Sequence, residues 1–499
     1  MTDLICSISG IRGIVGRTLT PDISYRIAEV FYRNYLSGKI SKGNELKIVI
    51  GRDPKKSGIP LIKGLHTALK DIMAHNRVKL SVYYLGVTST PAVEWAVSNF
   101  RADAGIMVTA SHNPIQWNGI KFISDGRKNI PSLLYPSDMK KICDRIKNAD
   151  LSAHQHRKKV TTTGLPKQKD YIDNYCRDIV AKVMEIIDRC YGKSGLGRKI
   201  FSPMNQKKFR VVIDAGSGQG AIIPKIFLNY IGITDVIVIN CSKIEDCKRP
   251  LEPLEKNLIE LKRTIRKSKA DVGFAIDPDG DRLVTMPASS EEDTPLLAAK
   301  FLLELQKLSG RKFIKKVVIN TSTSRAWEDL GEVYGIKIIR SAVGEINVVS
   351  EMRKRSLVFG AEGNGGVILG SVNYGRNSAV GIALIMAYLS WSSKTIKKLD
   401  SELPEFYMLK KKVMLGRQSA AGISGKILDS LKRKSNFLKV EKKDGYKFFF
   451  KDDSWLQVRP SNTEPIMRIF AEVRGKVTDR AARQKAEDLI NSVKAGIRS

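Results

Sequence analysis

The sequence predicts three similar α/β domains followed by a smaller α+β domain. Segments 47–53, 209–214 and 316–320 are short and apolar, and each precedes a small-residue turn and a helix-like stretch. Each segment therefore indicates the opening strand of an α/β unit. After residue 404 the pattern changes to alternating apolar and polar residues, which is typical of antiparallel strands, and then to a helix with one apolar face. Three repeats and one change of pattern define the expected fold class.

The chain length agrees with this organisation. At about 150 residues per domain, a chain of 499 residues can form three or four buried cores. Polar, turn-rich stretches mark the expected boundaries. The basic stretch 192–208 is predicted to be an extended loop before the second opening strand. The predicted domains span residues 1–160, 161–288, 289–400 and 401–499.

The composition is strongly basic, with 85 Lys and Arg residues against 51 Asp and Glu residues and a formal net charge of +34. Nucleic-acid binding would be one explanation. However, the basic residues are dispersed, aromatic residues do not interleave with them, and the sequence carries no nucleic-acid-binding motif. The charge instead predicts solvated basic faces that favour anionic substrates, and no nucleic-acid partner.

Cellular location and redox state can also be predicted. The N-terminus lacks a basic start followed by an apolar segment, so no signal peptide is expected. The longest apolar stretch, residues 380–391, is too short to span a bilayer and predicts a buried helix. The six cysteines show no C-x-x-C pair and no metal-binding spacing. We therefore expect a cytoplasmic protein with no membrane partner and with reduced, unpaired thiols.

The most informative segment is residues 109–114, with the sequence Thr-Ala-Ser-His-Asn-Pro. It follows the apolar run 105–108, which indicates a buried strand. A serine between Ala and His, followed by Asn-Pro, is typical of a tight turn at a strand end. An exposed Ser111 hydroxyl with the His112 imidazole beside it suits a nucleophile or a phosphate carrier. Considered alone, the segment also fits an ordinary polar turn.

A second loop, residues 277–282, reads Asp-Pro-Asp-Gly-Asp-Arg after an apolar, strand-like run. Asp277, Asp279 and Asp281 alternate around a glycine turn and can converge on one cation. Hard oxygen ligands of this kind suit Mg²⁺. A calcium loop would need a Glu at its twelfth position, where this chain has Ala288. A solvated acidic turn is the remaining alternative.

Two further loops complete the set. Residues 362–366, Glu-Gly-Asn-Gly-Gly, combine donors and acceptors with glycines that let the backbone approach a ligand, which fits sugar hydroxyls. Residues 459–465, Arg-Pro-Ser-Asn-Thr-Glu-Pro, together with Arg468, offer hydroxyls, an amide, backbone N–H groups and a guanidinium, which fit a phosphate. A glycine-rich turn and a capped turn are the structural alternatives when each loop is considered alone.

Taken together, the four loops resemble, in the same order, the signature loops of the α-D-phosphohexomutase family. Residues 7–13, Ser-Ile-Ser-Gly-Ile-Arg-Gly, also match the N-terminal loop of that family. The resemblance covers nearly the whole chain. It implies four domains around a central cleft, with mixed sheets in the first three and a C-terminal domain that is able to rotate.

The resemblance also implies roles for individual residues. Lys121 and Arg282 become candidates for proton transfer or charge stabilisation, and His112 either assists catalysis or only orients its turn. The candidate catalytic residues are Ser111, His112, Lys121, Arg282 and Arg12. The candidate substrate-binding residues are Glu362, Asn364, Arg459, Ser461, Asn462, Thr463 and Arg468. The candidate ligands of Mg²⁺ are Ser111, in its phosphorylated form, Asp277, Asp279 and Asp281.

The implied reaction moves a phosphoryl group between the 6- and 1-positions of a hexose phosphate. It passes through a phosphoserine and a hexose 1,6-bisphosphate, which is both intermediate and activator and must turn end over end. The 362–366 loop and the N-terminal loop resemble the phosphoglucosamine mutase branch, so we expect glucosamine 6-phosphate to be converted to glucosamine 1-phosphate. A phosphomannomutase or phosphoglucomutase is the alternative. We expect a monomer or a dimer.

Two other functions are compatible with such a scaffold. A phosphoserine-dependent sugar phosphatase would be expected to lose the distal phosphate site, whereas residues 459–463 retain it. A non-catalytic sugar-phosphate-binding protein would be expected to lack Ser111 or the aspartate triad, and both are intact. One departure from the family pattern is Asn377, where an Asp is expected. This change could loosen a contact with a neighbouring cation without altering the chemistry.

Overall fold

The computed structural model describes residues 4–40, 45–125, 130–148, 164–216, 222–241, 244, 249–287, 290–414, 437–461, 466–476 and 478–498. These residues form four sheets, three of them mixed and the last entirely antiparallel. The predicted fold class is therefore confirmed. The predicted boundaries after residues 160 and 288 fall outside the described residues, as does most of the polar linker before residue 164.

The first domain contains a six-stranded sheet in the order β1-β2-β6-β5-β3-β4. Strand β3 pairs in parallel with β4 and β5, and the other pairs are antiparallel. The strands are β1 (Ile5–Ser7), β2 (Gly10–Ile14), β3 (Glu45–Arg52), β4 (Lys79–Val87), β5 (Ala104–Val108) and β6 (Trp117–Ile123). The helices are α1 (Pro21–Phe31), extended by the turns Tyr32–Leu36 and Ser37–Lys39, α2 (Gly58–His75), α3 (Thr90–Asn99) and α4 (Pro136–Asn148).

The second domain has a four-stranded sheet in the order β10-β9-β7-β8. Its strands are β7 (Arg210–Asp214), β8 (Asp235–Ile239), β9 (Val272–Ile276) and β10 (Leu283–Met286). Its helices are α5 (Ile172–Tyr191), α6 (Leu196–Phe201), α7 (Ile222–Tyr230) and α8 (Ile259–Ser268), with a short 3₁₀ turn at Glu255–Asn257.

The third domain repeats this arrangement, with a sheet in the order β12-β11-β13-β14. Its strands are β11 (Lys316–Asn320), β12 (Lys337–Ser341), β13 (Phe359–Glu362) and β14 (Gly366–Leu369). Its helices are α9 (Asp293–Leu308), α10 (Ala326–Tyr334), α11 (Glu345–Lys354), α12 (Ser378–Ser392) and α13 (Ile396–Asp400).

The C-terminal domain is a five-stranded antiparallel sheet, in the order β15-β19-β18-β17-β16, covered by one long helix. Its strands are β15 (Phe406–Met414), β16 (Lys439–Glu441), β17 (Tyr446–Phe449), β18 (Trp455–Pro460) and β19 (Ile466–Arg474), and its helix is α14 (Arg480–Arg498).

The three α/β domains place their functional loops at equivalent points. In each domain the opening strand pairs in parallel with the next two strands along the chain, and the third strand then pairs with an antiparallel fourth. The loop between the third and fourth strands carries Ser111 in the first domain, residues 277–282 in the second and residues 363–365 in the third. Open α/β sheets bind ligands at the carboxyl ends of their strands, so this repeat directs all three loops to one cleft.

The hydrophobic cores explain how the domains are joined. One continuous core unites one face of the first sheet with the second and third domains. The other face of the first sheet has its own core, and so does the C-terminal domain. The buried helix predicted at residues 380–391 is confirmed, because it lies within α12 and packs in the continuous core. Within the described ranges, every helix is too short or too polar to cross a bilayer.

Two sequence predictions are wrong. The stretch 192–208 is not an extended loop, because it contains α6 and buries Ile200, Phe201 and Met204 in the continuous core. The thiols are not all unpaired, because Cys6 and Cys143 form a disulfide with a Cα–Cα distance of 5.5 Å. These two residues are 137 positions apart, so only the packing of α4 against β1 could reveal the pair. Cys176, Cys190 and Cys241 are free, and Cys247 lies outside the described residues.

Candidate active site

Ser111 lies at the turn between β5 and β6, in the left-handed backbone conformation with φ of 52°. This conformation is uncommon for residues other than glycine, and such strain clusters at functional sites. Two hydrogen bonds hold the turn. The Ser111 backbone N–H donates to Thr109 Oγ1 at 2.8 Å, and the Thr109 hydroxyl donates to Asp53 Oδ2 at 2.7 Å. Because Asp53 is fully buried, the surrounding fold maintains the strained turn.

The Ser111 hydroxyl faces the loop of residues 277–282. Ser111 Oγ donates to Asp277 Oδ2 at 3.0 Å and lies 3.2 Å from His112 Nδ1. One carboxylate oxygen from each of Asp277, Asp279 and Asp281 lies within 4.8 Å of the others. The structure therefore brings together the four residues that were predicted as metal ligands.

The three aspartates are fully buried, which is costly for neighbouring negative charges. Burial and the other two carboxylates raise the pKa of Asp277 well above its usual range. Among the described residues, Asp279 Oδ1 and Asp281 Oδ1 accept no hydrogen bond. Three carboxylates whose oxygens lie this close together are the kind of hard oxygen ligands that Mg²⁺ prefers, so the residues present fit this ion.

Lys121 and Arg12 support these two loops. Lys121 Nζ lies 2.5 Å from Asp279 Oδ2 and 3.4 Å from Asp281 Oδ2. Burial favours the neutral amine, but the two carboxylates outweigh burial and raise the pKa of Lys121. A raised pKa favours the charged form of Lys121, which suits charge stabilisation better than proton transfer. Arg12 donates to the Asn113 side chain at 2.7 Å and to a backbone carbonyl of the serine turn at 3.3 Å.

Glu252 is a cleft residue that sequence analysis missed. Its Oε1 lies 3.5 Å from His112 Nε2 and 3.3 Å from Arg282 NH1. Burial, together with the positive charges of Arg282 and Arg12, lowers the pKa of His112 well below its usual range. The neutral His112 ring can therefore accept a proton at Nδ1 while Glu252 orients its other nitrogen. The local sequence Pro-Leu-Glu-Pro gave no sign of this contact.

Glu362 ends β13 at the cleft and is buried. Its carboxylate accepts a hydrogen bond from Arg376 NH1 at 2.8 Å and another from Asn320 Nδ2 at 2.8 Å. Asn364 Oδ1 is also buried but accepts no hydrogen bond from any residue that the structure describes. An unused acceptor beside a fixed carboxylate suits the recognition of ligand hydroxyls.

Arg376 connects this sugar loop to the aspartate loop. Its NH2 lies 2.6 Å from Asp281 Oδ2 and 3.4 Å from Glu345 Oε2, while its NH1 binds Glu362. One guanidinium thus neutralises carboxylates from two domains. The local sequence gives no sign of this role for Arg376, because Asp281 is 95 positions away along the chain.

Asn377, where the resemblance predicts an Asp, directly precedes helix α12 and caps it. Its Oδ1 accepts hydrogen bonds from the backbone N–H groups of Ala379 and Val380 at 3.0 and 3.3 Å. Asparagine is among the best residues at this position of a helix. The departure from Asp therefore falls on a helix cap.

The C-terminal domain presents Arg459, Ser461 and Arg468 to the cleft. Arg459 and Arg468 lie opposite each other on the paired strands β18 and β19. Arg468 Nε donates to Ser461 Oγ at 3.3 Å. Two neighbouring guanidinium groups and a hydroxyl make a surface that suits an anion. Asn462 and Thr463, predicted for the same surface, lie outside the described residues.

A cavity of about 180 Å³ lies where the four domains meet. Its walls include Ser111, Arg282, Glu362 and Arg459, one residue from each domain. The four loops singled out in the sequence therefore face one cleft. This arrangement suits a ligand that has a phosphate at one end and a reacting hydroxyl at the other.

Comparison with known proteins identifies the family to which this chain belongs. Models of the phosphoglucomutase/phosphomannomutase alpha/beta/alpha domains I, II and III match residues 5–153, 194–288 and 292–407, and the model of the C-terminal domain matches residues 418–491. A phosphoglucomutase/phosphomannomutase from Thermococcus kodakarensis is 30% identical, with 94% of each chain covered. The chain belongs to the phosphoglucomutase/phosphomannomutase family. Members of this family are mutases, which are isomerases.

Other members of the family show the same organisation. A probable phosphoglucosamine mutase from Pyrococcus horikoshii is 28% identical over 97% of each chain. The crystal structure of a phosphoglucomutase/phosphomannomutase family protein from Burkholderia thailandensis aligns with a TM-score of 0.74 at 21% identity, covering 99% of this chain and 97% of that one. The Aspergillus fumigatus N-acetylphosphoglucosamine mutase, crystallised with GlcNAc-6P and magnesium, aligns with a TM-score of 0.55 at 15% identity, covering 94% of this chain and 85% of that one.

Proposed function

We propose that this phosphohexomutase is a phosphoglucosamine mutase, which interconverts glucosamine 6-phosphate and glucosamine 1-phosphate. The observation that carries the proposal is the meeting of a strained serine, a hydroxyl-reading loop and a pair of arginines in one cavity, with a buried aspartate triad in contact with the serine. The name of the relative from Pyrococcus horikoshii, and the resemblance of the 362–366 loop to that branch, favour glucosamine as the sugar.

The aspartate triad and a phosphate oxygen on Ser111 would together hold Mg²⁺. The bound ion would neutralise the phosphoryl oxygens and so make phosphoserine a good phosphoryl donor. The chain itself supplies the remaining electrostatics. Lys121 stays protonated beside Asp279, and Arg282, at 12% side-chain exposure, adds a second fixed cation beside the metal loop.

Binding would begin at the C-terminal domain. The phosphate of glucosamine 6-phosphate contacts Arg459, Ser461 and Arg468, and the far hydroxyl of the sugar points toward Ser111. Glu362 and Asn364 contact the hydroxyls between these two ends. The cleft therefore fixes the distance between the bound phosphate and the reacting hydroxyl, which removes much of the entropic cost of the reaction.

The chemical step then transfers one phosphoryl group. The 1-hydroxyl oxygen attacks phosphorus, its new bond to phosphorus forms as the bond to Ser111 Oγ breaks, and the hydroxyl proton passes to Ser111 Oγ. His112 Nδ1, 3.2 Å from that oxygen, is placed to relay the proton. The resulting 1,6-bisphosphate then reorients end over end in the cleft. The same steps in reverse return the 6-phosphoryl group to Ser111.

A phosphomannomutase or phosphoglucomutase activity is the second candidate. It is favoured by the relative from Thermococcus kodakarensis, whose name carries both activities. The two candidates share every step above and differ only at the sugar substituents. The phosphatase and the non-catalytic binding protein are less favoured, because the cleft contains the arginine pair and the serine, and Asp277 of the intact triad contacts that serine.

One assay distinguishes these functions. Purified protein with Mg²⁺ is incubated with glucosamine, mannose or glucose 6-phosphate, with and without hexose 1,6-bisphosphate. We expect isomerisation, fastest with glucosamine 6-phosphate. Faster conversion of mannose or glucose 6-phosphate would reassign the sugar, and release of inorganic phosphate without isomerisation would contradict the mutase proposal.

A further inference from the structure

A charged cluster in the cleft takes part in none of the steps above. Lys410, on β15 of the C-terminal domain, reaches across to the start of the third domain, where its Nζ lies 2.9 Å from Glu291 Oε1 and 2.8 Å from Glu292 Oε1. It also donates a hydrogen bond to the carbonyl of Gly363, in the sugar loop, at 3.2 Å. We refer to Lys410, Glu291 and Glu292 as the Lys410 cluster.

The cluster is well shielded and tightly packed. The side chains of Glu291 and Glu292 are 10% and 6% exposed, and that of Lys410 is 27% exposed. Two carboxylates and one carbonyl satisfy the three protons of the ammonium group. A β-carbon at position 363 would lie 2.0 Å from Glu292 Oε2, so only glycine allows Glu292 to approach the sugar loop this closely.

The cluster is part of a wall between two cavities. On one side it lines the catalytic cleft, and on the other it lines a second cavity of about 260 Å³. The second cavity lies beside the segment that joins the third and C-terminal domains and includes Pro404 and Phe406 in its walls. The cluster and Leu254 line both cavities, so the cluster forms most of the partition between them.

The interface that the cluster closes is largely polar. The C-terminal domain packs its own hydrophobic core, and Phe406, at the start of β15, packs against the core that includes the third domain. Its other contacts with the third domain include a hydrogen bond from Lys447 Nζ to the Thr321 carbonyl and one from Ser322 Oγ to Gln457 Oε1, both at 2.7 Å. Polar interfaces between domains that have separate cores can open, and individual contacts then determine how often they do so.

We propose, on the basis of the mutase function proposed above, that Lys410 is a positioning residue. It keeps this wall closed while the bisphosphorylated intermediate reorients end over end. Escape of the intermediate through this wall would inactivate the enzyme. The intermediate carries the phosphoryl group that Ser111 has donated. If it escapes, Ser111 is left as a free hydroxyl, and the enzyme is inactive until added hexose 1,6-bisphosphate phosphorylates it again.

The test compares Lys410→Met with Lys411→Met. Lys411 is the next residue of β15, is exposed, and points to the other face of the strand, so it is a matched control. Each enzyme is phosphorylated with hexose 1,6-bisphosphate, freed of excess bisphosphate and mixed with Mg²⁺ and glucosamine 6-phosphate. The bisphosphate released per molecule of product is measured by mass spectrometry.

We expect Lys410→Met to release about tenfold more bisphosphate per product than the unaltered enzyme, a change of about 1.4 kcal/mol in the competition between escape and turnover. Its activity should then depend on added bisphosphate, and Lys411→Met should match the unaltered enzyme. If Lys410→Met does not fold, Glu291→Gln, which keeps the shape of the cluster but removes one charge, serves in its place.

Two results would overturn the proposal. One is an unchanged release ratio in Lys410→Met, even if its overall rate falls, because a merely structural role slows turnover without increasing escape. The other is an equal increase in Lys411→Met. Failure of the mutase function is a separate result: the unaltered enzyme would isomerise none of the three sugar phosphates, and the role of Lys410 would fall with it.

Discussion

Arg376 offers the most direct test of how the cleft is held together. Its guanidinium lies 2.6 Å from Asp281, 2.8 Å from Glu362 and 3.4 Å from Glu345, and all four side chains are buried. Arg376→Met would leave these carboxylates without their shared cation. Removing one partner from a buried ion pair costs about 3–5 kcal/mol. We therefore expect a loss of that size in the free energy of unfolding near pH 8.

The loss should be smaller at pH 5, and the sign follows from proton binding. Burial already raises the pKa of Glu345, against the opposing effect of Arg376, and removal of Arg376 would raise it further. A carboxyl group with a raised pKa binds more protons in the folded state than in the unfolded state, so stability falls as pH rises above its ordinary value of 4.5. Protonating that carboxyl costs about 0.7 kcal/mol at pH 5 and about 5 kcal/mol at pH 8.

Urea unfolding at pH 5 and pH 8 measures both effects. Arg355→Met is the matched control, because Arg355 forms an ion pair with Glu351 on the surface of α11, with side chains 40% and 30% exposed. Such pairs contribute at most about 1 kcal/mol. The role given to Arg376 is wrong if Arg376→Met lowers the free energy of unfolding no more than Arg355→Met does at pH 8, or if the deficit of Arg376→Met is larger at pH 5 than at pH 8.

Three further predictions test the serine, the metal site and the disulfide. Ser111→Ala should reduce the rate of isomerisation by at least about a thousandfold without changing the unfolding midpoint. Intact-mass analysis should find the phosphoryl adduct only in the unaltered enzyme. Retained turnover would remove Ser111 from the mechanism. Chelation of divalent cations should abolish activity, and Asp279→Asn should raise the Mg²⁺ concentration for half-maximal activity by at least about tenfold; an unchanged Mg²⁺ titration would show that Asp279 is not a ligand. Cys6→Ser should lower the free energy of unfolding by up to about 5 kcal/mol, because the disulfide closes a loop of 137 residues. A reducing agent should destabilise the unaltered protein but not the variant. Equal stability of the two proteins without reductant would show that the bond does not form in solution.

The fold class and the chemistry of the candidate site loops could be predicted from the order of the amino acids. Three apolar opening strands repeat, and each is followed by a loop whose functional side chains lie within a few residues of one another. Such a loop can be recognised from its local sequence. The three aspartates lie within five positions, and the serine and histidine are adjacent. Because each loop follows an equivalent strand of an equivalent sheet, the repeat itself implied that the loops share one cleft.

The contacts that fix the loops in place could not be predicted, because they form between distant segments of the folded chain. Three of these contacts join residues that are far apart along the chain. They are Glu252 beside His112, Arg376 between Asp281 and Glu362, and Lys410 across from Glu291 and Glu292. The same holds for Cys6 and Cys143, and for the segment 192–208, whose apolar side chains form a helix only because a core is there to receive them. An ion pair, a disulfide or a buried helix face depends on which surfaces meet in the folded protein. The local sequence therefore cannot show which distant residue will be the partner.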